Sequence, residues 1–279
     1  MATETGLFTS ATWQATGGGT LVTVNKNLVS FPDIAYNPET LLIATGLNKR
    51  LRDRHDITMR VHDISEFAAL KTLMLARTEL EFSLIGGNTH QWDPMRFNAR
   101  YVFDQVPNIK KVWIGADAAA GDPTSQPLNW TSLGAIQQGD APALNAVGPQ
   151  DGVALPLYTS TTLEWTLRLI DDSTADAAVQ TTLASFQGAL ARIALESPDG
   201  SYLILGGASA GQGVQIDWAP APLSGTEQFF SGVSMKMSAS AEDPDDIFVL
   251  PASPGDFIYA FDLTLAAVSS NFADYYSVI

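Results

Sequence analysis

The chain has 279 residues, with 15 Lys and Arg against 30 Asp and Glu, a formal net charge of −15 and no cysteine. Hydrophobic residues make up 46% and charged ones 16%, which excludes wholesale disorder, and the missing thiols exclude disulfides, thiolate catalysis and cysteine-bound zinc. No run approaches the ~18 apolar residues of a membrane-spanning helix, the opening MATETGLFTS has no basic or apolar leader signature, and so acidic a chain is poorly suited to gripping nucleic-acid phosphates.

The charge is uneven along the chain. Residues 1–111 hold 12 basic and 11 acidic residues, whereas residues 112–279 hold only Arg168, Arg192 and Lys236 against 19 acids. Dispersed carboxylates are first of all solvated surface, and their sharper reading is a negative face that repels polyanions. A basic cluster, Lys49, Arg50, Arg52 and Arg54, reads as an exposed loop or edge strand, or as one side of an electrostatic contact with the acidic half of a neighbouring copy.

In chain order, Ile57, Met59 and Val61 alternate with Thr58, Arg60 and His62, the period of a half-buried strand. Asp63 fits a helix N-cap with Glu66 at the capping-box position, and a helical apolar spacing runs from Ile64 to Ala76. Glu79 to Ile85 alternates again and closes on Gly86-Gly87. A long strand follows, with Phe97, Ala99, Tyr101 and Phe103 on one face and Arg96, Asn98, Arg100 and Asp104 largely on the other. Residues 115–156 are rich in Ala, Gly, Pro, Asn and Gln and read as a long connector.

The order then recurs. Trp165-Thr166-Leu167-Arg168-Leu169-Ile170-Asp171 aligns with Ile57-Thr58-Met59-Arg60-Val61-His62-Asp63 at an offset of 108 residues. A strand over Leu163–Ile170 is followed by a helix expected to run from Asp172 or Ser173 to about Leu195, with its apolar residues on one face. Pro198-Asp199-Gly200 is a turn, Tyr202–Leu205 a short strand, and Gly206-Gly207 the second glycine pair. A long alternating strand carries Phe229, Val233, Met235 and Met237 on its apolar side, and a last strand spans Phe257–Leu265. We read a duplication: strand, helix, strand, glycine pair, long strand, twice. The expected domains are 20–114 and 157–270, joined by the connector 115–156.

Reactive constellations are missing from the pattern. His55, His62 and His90 form no H-x-x-x-H or H-E-x-x-H pair, and no G-x-S-x-G elbow occurs. Gly17-Gly18-Gly19 and the segment Gly206–Gly213 lack the Lys-Ser/Thr of a phosphate loop and read as flexible turns, and Asp243-Pro244-Asp245-Asp246 lacks the ligand spacing of a calcium loop. No catalytic residue, metal or cofactor is expected.

Strand, packed helix, strand and long hairpin over 57–85 with 95–106, and again over 163–205 with 228–240, resembles the tail-tube fold of bacteriophages. The resemblance implies an α+β fold of two similar β-sandwich or barrel-like domains, each with one packed helix. It also implies a virion structural protein, assembled in the host cytoplasm, in which three doubled chains close a pseudo-hexameric ring and rings stack around a DNA-conducting channel. Partners would be further copies, other tail proteins and double-stranded DNA in unspecific transit. On that expectation Glu79, Glu81 and Asp104 are lumen candidates, and Arg60, Asp63, Arg168 and Asp171 are structural or interface positions of the repeat. The stretch to about Asn27 is a candidate inter-ring arm. The alternatives are a trimeric baseplate hub or adaptor, or a carbohydrate-binding or hydrolytic domain using exposed Trp13, Trp92, Trp113, Trp130, Trp165 and Trp218.

Overall fold

The computed structural model describes residues 8–30, 32–42, 48–62, 67–103, 108–137, 143–147, 160–170, 176–220, 232–249, 257–269 and 271–279. Its elements begin with β1 (Ser10–Ala15), β2 (Val22–Asn25), β3 (Asp33–Tyr36), β4 (Glu39–Leu42), β5 (Asn48–Val61), α1 (Phe67–Leu75), β6 (Leu80–Ile85) and β7 (Thr89–Phe103). They continue with β8 (Lys111–Ala116), β9 (Trp130–Gln137), β10 (Ala143–Val147), β11 (Ser160–Ile170), α2 (Asp176–Ser185) and β12 (Leu190–Glu196). Last come β13 (Tyr202–Leu205), β14 (Val214–Pro220), β15 (Gly232–Ala241), β16 (Phe248–Val249), β17 (Ile258–Ser269) and β18 (Tyr276–Val278). The fold is thus β-rich α+β, with two nine-stranded sheets and two α-helices among the described residues.

Two compact units divide the chain. Unit one comprises Met1–Val102, Ala146–Thr159 and Ala260–Ile279; unit two comprises Phe103–Asn145 and Ser160–Tyr259.

Unit one is built on the strand order β2-β1-β6-β7-β17-β5-β3, with β18 added to β7 and β4 to β5. In β5 the period-two pattern holds: Ile57, Met59 and Val61 are buried, while Thr58 and Arg60 face the other way. The apolar row continues in register, Met59 opposite Leu263 and Val61 opposite Phe261. Leu70 and Met74, one turn apart on α1, are fully buried and supply the helix face of this core. Trp13 of β1 lies opposite Phe82 of β6 and packs edge-on against it, with ring centroids 6.1 Å apart.

Unit two closes on itself. β14 pairs with β15, then β11, β9, β8 and β12 follow, and β12 returns to β14 through Leu190 opposite Gln215 and Ala191 opposite Val214. Such closure removes the exposed strand edges of an open sheet. The apolar rows of β11 and β15 meet in register, Trp165 opposite Met237 and Leu167 opposite Met235, all buried. Outside the ring, the other face of β12 is covered by the stretch after β8. Ala119, Trp130, Ala194 and Ile204 form a small second core there, flanked by Trp113 and Tyr202. Gly115 permits this close cover, because a Cβ there would lie 2.9 Å from both Ala119 Cβ and Asn129 O.

Several expectations are corrected. The supposed connector 115–156 supplies β9 and β10 to the sheet of unit two, anchored by buried Trp130 and Leu133. The last long strand, β17, pairs with β5 over nine residues and lies mostly in unit one, not with residues 157–270. Residues 10–15 and 22–25, within the supposed arm, are β1 and β2 of the unit-one sheet. The second helix ends at Ser185; Leu190–Glu196 is a strand whose residues from Ala191 onward are buried on both faces, and a stretch with no wet face needs no alternation.

In element order β5, α1 and β6 are matched by β11, α2 and β12, but the second copy's third element is β12 and not the expected strand Tyr202–Leu205, which comes fourth as β13. Beyond them the pairing differs from the expected alignment. Gly86-Gly87 closes the β6–β7 hairpin, whereas Gly206-Gly207 follows β13 and opens a loop to β14. β15 takes beside β11 the place that β17 takes beside β5: Arg168 lies opposite Ser234 as Arg60 lies opposite Asp262.

Candidate functional site

The residues that alternate away from the core on β5, β17 and β7 build a polar face on unit one. At its centre Asp262 of β17 is held from both sides. Arg60 of β5 donates from Nε to Oδ1 at 2.7 Å and from a terminal nitrogen to Oδ2 at 3.2 Å. Arg100 of β7 donates to Oδ2 from Nε at 3.2 Å and from a terminal nitrogen at 3.0 Å. Partial burial alone would raise the Asp262 carboxyl, but the hydrogen bonds from Arg60 and Arg100 outweigh it and hold the group below its ordinary value. Further along the same face Arg96 bonds Glu79 at 3.2 Å, and Arg54 bonds both oxygens of Asp56, which also accepts from Asn37.

The expected site residues fall as follows. Glu79 is ion-paired with Arg96, so it is not a spare carboxylate, and Glu81 on β6 stands opposite Gln14 of β1. Arg60 carries the Asp262 pair, and Arg168 sits half-buried on β11. Asp63, Asp104 and Asp171 lie outside the described residues. Of the six tryptophans, Trp13, Trp92, Trp130 and Trp165 are buried, which removes them from any exposed sugar-stacking platform. Asp262 and Arg100 carry the centre of the face; Arg100 was expected on the outward row of its strand, but neither was among the expected site residues. The alternation of Phe261, Leu263 and Leu265 around Asp262 was a usable signal for its outward direction, but its partner Arg60 is 202 residues away.

A second polar cluster in unit one is buried. His55 is enclosed by the rings of Tyr36, Trp92, Tyr275 and Tyr276, with centroids between 5.3 and 6.0 Å away. Trp92 Nε1 donates to His55 Nδ1 at 3.0 Å, so the neutral imidazole carries its hydrogen on Nε2. Burial pushes the His55 imidazole below its ordinary value, against the opposing pull of Asp53 and Asp56. The Tyr36 hydroxyl donates to Asp53 at 2.7 Å, and His90 Nδ1 bonds the Tyr276 hydroxyl at 2.7 Å. Burial raises the Tyr276 phenol.

In unit two a buried arginine and an aspartate organise the loops over β12. Arg192 donates to the carbonyls of Ala119 and Gly206 and lies over the Trp130 ring, 5.9 Å from its centroid. Burial lowers the Arg192 guanidinium, with Asp117 opposing. Asp117 accepts the backbone N–H groups of Gly211 at 2.6 Å and Gly213 at 3.0 Å. The glycine-rich segment 206–213, read as a flexible turn, is therefore tied down. The N–H groups of Gly206, Gly207, Ser209, Gly211, Gln212 and Gly213 already have internal acceptors, so the segment is not an open anion cradle.

Among the described residues no group of three or more His, Asp or Glu is placed to hold a metal ion. Among the same residues no helix is long and apolar enough to cross a membrane. Compared with protein-family models and with curated proteins, the chain matches no family model and no curated sequence. What remains is a geometry of surfaces: a wide polar sheet face whose charges are engaged with one another.

Proposed function

We propose that the chain is a structural subunit of a viral tail tube, three copies of which close a pseudo-hexameric ring around a channel for double-stranded DNA. The observation that carries this reading is the shared plan of the two units. In each, a strand–helix–strand opening leads into a sheet in which the first strand pairs antiparallel with a long partner, over nine residues in β5–β17 and ten in β11–β15. In each, the pair is apolar on the core side and polar on the other. A wall made of such units needs one covered face and one wet face, and two units per chain supply six positions from three chains.

The wet face of unit one changes how such a channel would avoid holding its cargo. The carboxylates of Asp262, Glu79 and Asp56 are paired with arginines, so at these positions non-adhesion rests on mutual pairing and not on surplus negative charge. The test is negative-stain electron microscopy with native mass spectrometry of the purified chain under assembly conditions. Trimers that form rings with sixfold-like outline and stack into tubes are expected. Monodisperse monomers at every concentration would overturn the reading. Many stacked copies per particle, against a single trimer, separate a tube subunit from a hub or adaptor.

A further inference from the structure

Residues 271–279 are seated on unit one around a single imidazole. β18 pairs with β7 over three residues, Tyr276 opposite Trp92, Ser277 opposite Gln91 and Val278 opposite His90. Thr89 and Ile279 exchange backbone hydrogen bonds at 2.9 and 3.0 Å, and the Asp93 N–H donates to the Tyr275 carbonyl at 2.9 Å. At the end of the strand Val278 is 52% exposed and Ile279 76%, so their side chains add little anchorage. Tyr275 and Tyr276 reach inward instead, and each ring centroid stands 5.6 Å from His55. Tyr276 also packs on Trp92, with centroids 5.2 Å apart, and its hydroxyl meets His90 Nδ1 at 2.7 Å.

Trp92 occupies the His55 nitrogen that would take a second proton. Its Nε1 donates to Nδ1 at 3.0 Å, and the neutral ring carries its hydrogen on Nε2. Protonation therefore drives the indole and the imidazole apart, and the indole is the ring on which Tyr276 is seated. Asp53 and Asp56 of the same strand favour the imidazolium, but desolvation inside the cluster outweighs them. The elements packed against His55 bring the phenols of Tyr36, Tyr275 and Tyr276 and, stacked on Trp92, the His90 imidazole; β17 places Ala267 opposite. His90 can meet the Tyr276 hydroxyl as acceptor or as donor, so that bond survives a further proton on its ring.

We propose that residues 271–279 form an acid-released latch: a proton on His55 frees β18 from β7 while the longer ladder of β5 with β17 stays closed. Three paired residues at a chain end open at lower cost than the nine of β5–β17. In the open form His55 reaches water and regains its ordinary value of 6.5, so acid favours opening from that pH down to the lowered value of the closed form. Opening bares the β7 edge from Thr89 to Asp93 as an unpaired strand margin. The latch is independent of the tube reading.

Hydrogen–deuterium exchange of the full chain, read by mass spectrometry as protection factors at pH 7.5, 6.5 and 5.5, tests it. Protection of residues 271–279 and 89–93 is expected to fall by up to about tenfold between pH 7.5 and 5.5, the limit that one proton sets. At each pH the β5–β17 ladder is expected to stay about tenfold or more better protected than the latch. His55→Asn is expected to abolish the pH dependence of the latch and His90→Gln to retain it. Protection of 271–279 that does not change with pH, or that equals that of the β5–β17 ladder, would overturn the inference. So would a His55→Asn chain that still loses protection in acid, or a His90→Gln chain that no longer does. Should His55→Asn fail to fold, His55→Gln takes its place, and the wild-type and His90→Gln profiles stand without either.

Discussion

The Trp92 indole donates its single hydrogen to Nδ1 of His55, and that bond requires the imidazole to be neutral. Protonation would set two donors face to face at 3.0 Å, inside a ring of four aromatic side chains. His55 therefore binds a proton less readily in the folded chain than in the unfolded one, whose imidazole has the ordinary value of 6.5. Its stability contribution is complete above that pH and is lost as pH falls from there through the lowered folded value. Denaturant unfolding at pH 7.5, 6.5 and 5.5 is expected to show this decline. His55→Asn, whose amide oxygen can still accept from Trp92, is expected to flatten it, with His62 and His90 unchanged as an internal reference.

Arg192 is the pin of the second core in unit two. Arg192→Met keeps the chain length but removes the donors to the Ala119 and Gly206 carbonyls. A loss of about 2–3 kcal/mol is expected, the usual cost of removing hydrogen bonds from a charged donor. Hydrogen exchange should rise first in residues 117–129 and 206–213, ahead of the strands of the closed ring.

Two glycines offer a contrast in one chemical change. A methyl group at Gly213 would stand 2.9 Å from Ala191 O, Asp117 Oδ1 and Leu190 Cβ, whereas one at Gly87 meets nothing within 4 Å. Gly213→Ala is expected to cost about 1–3 kcal/mol by overpacking. Gly87→Ala should stay within about 0.5 kcal/mol of wild type, as surface changes do. Thermal unfolding of both variants side by side checks the pair.

The Glu79–Arg96 bridge is half in water, and exposed pairs contribute little. Glu79→Gln is expected to change stability by about 0.5 kcal/mol or less. A larger loss in urea unfolding would mean that the pair organises the β6–β7 face beyond its own Coulomb attraction.

Strands with one wet face were legible because their residues alternate. Ile57, Met59 and Val61, like Leu163, Trp165, Leu167 and Leu169, are buried as their spacing requires. Leu190–Glu196 was not legible. From Ala191 onward it is covered on both sides, so those side chains have no wet face to mark, and the apolar positions at 190, 193 and 194 also satisfy a helical spacing. The stretch after β8 misled for the opposite reason: its small residues look like a linker, yet smallness is what lets it lie close on β12 around Trp130. The polar face was half visible. Outward directions of Arg60, Arg96 and Arg100 follow from alternation, but which carboxylate each meets depends on which strands become neighbours. No local pattern states that β17 comes to rest between β5 and β7.

That placement has a bearing on biosynthesis. Arg60 and Asp262 are 202 residues apart, and β3 and β4 are available to β5 long before β17 has been translated. One side of its ladder can therefore zip up early while the other stays open on the ribosome until the last stretch of chain emerges. So long a delay favours slow maturation and gives holdase chaperones an unpaired margin to shield.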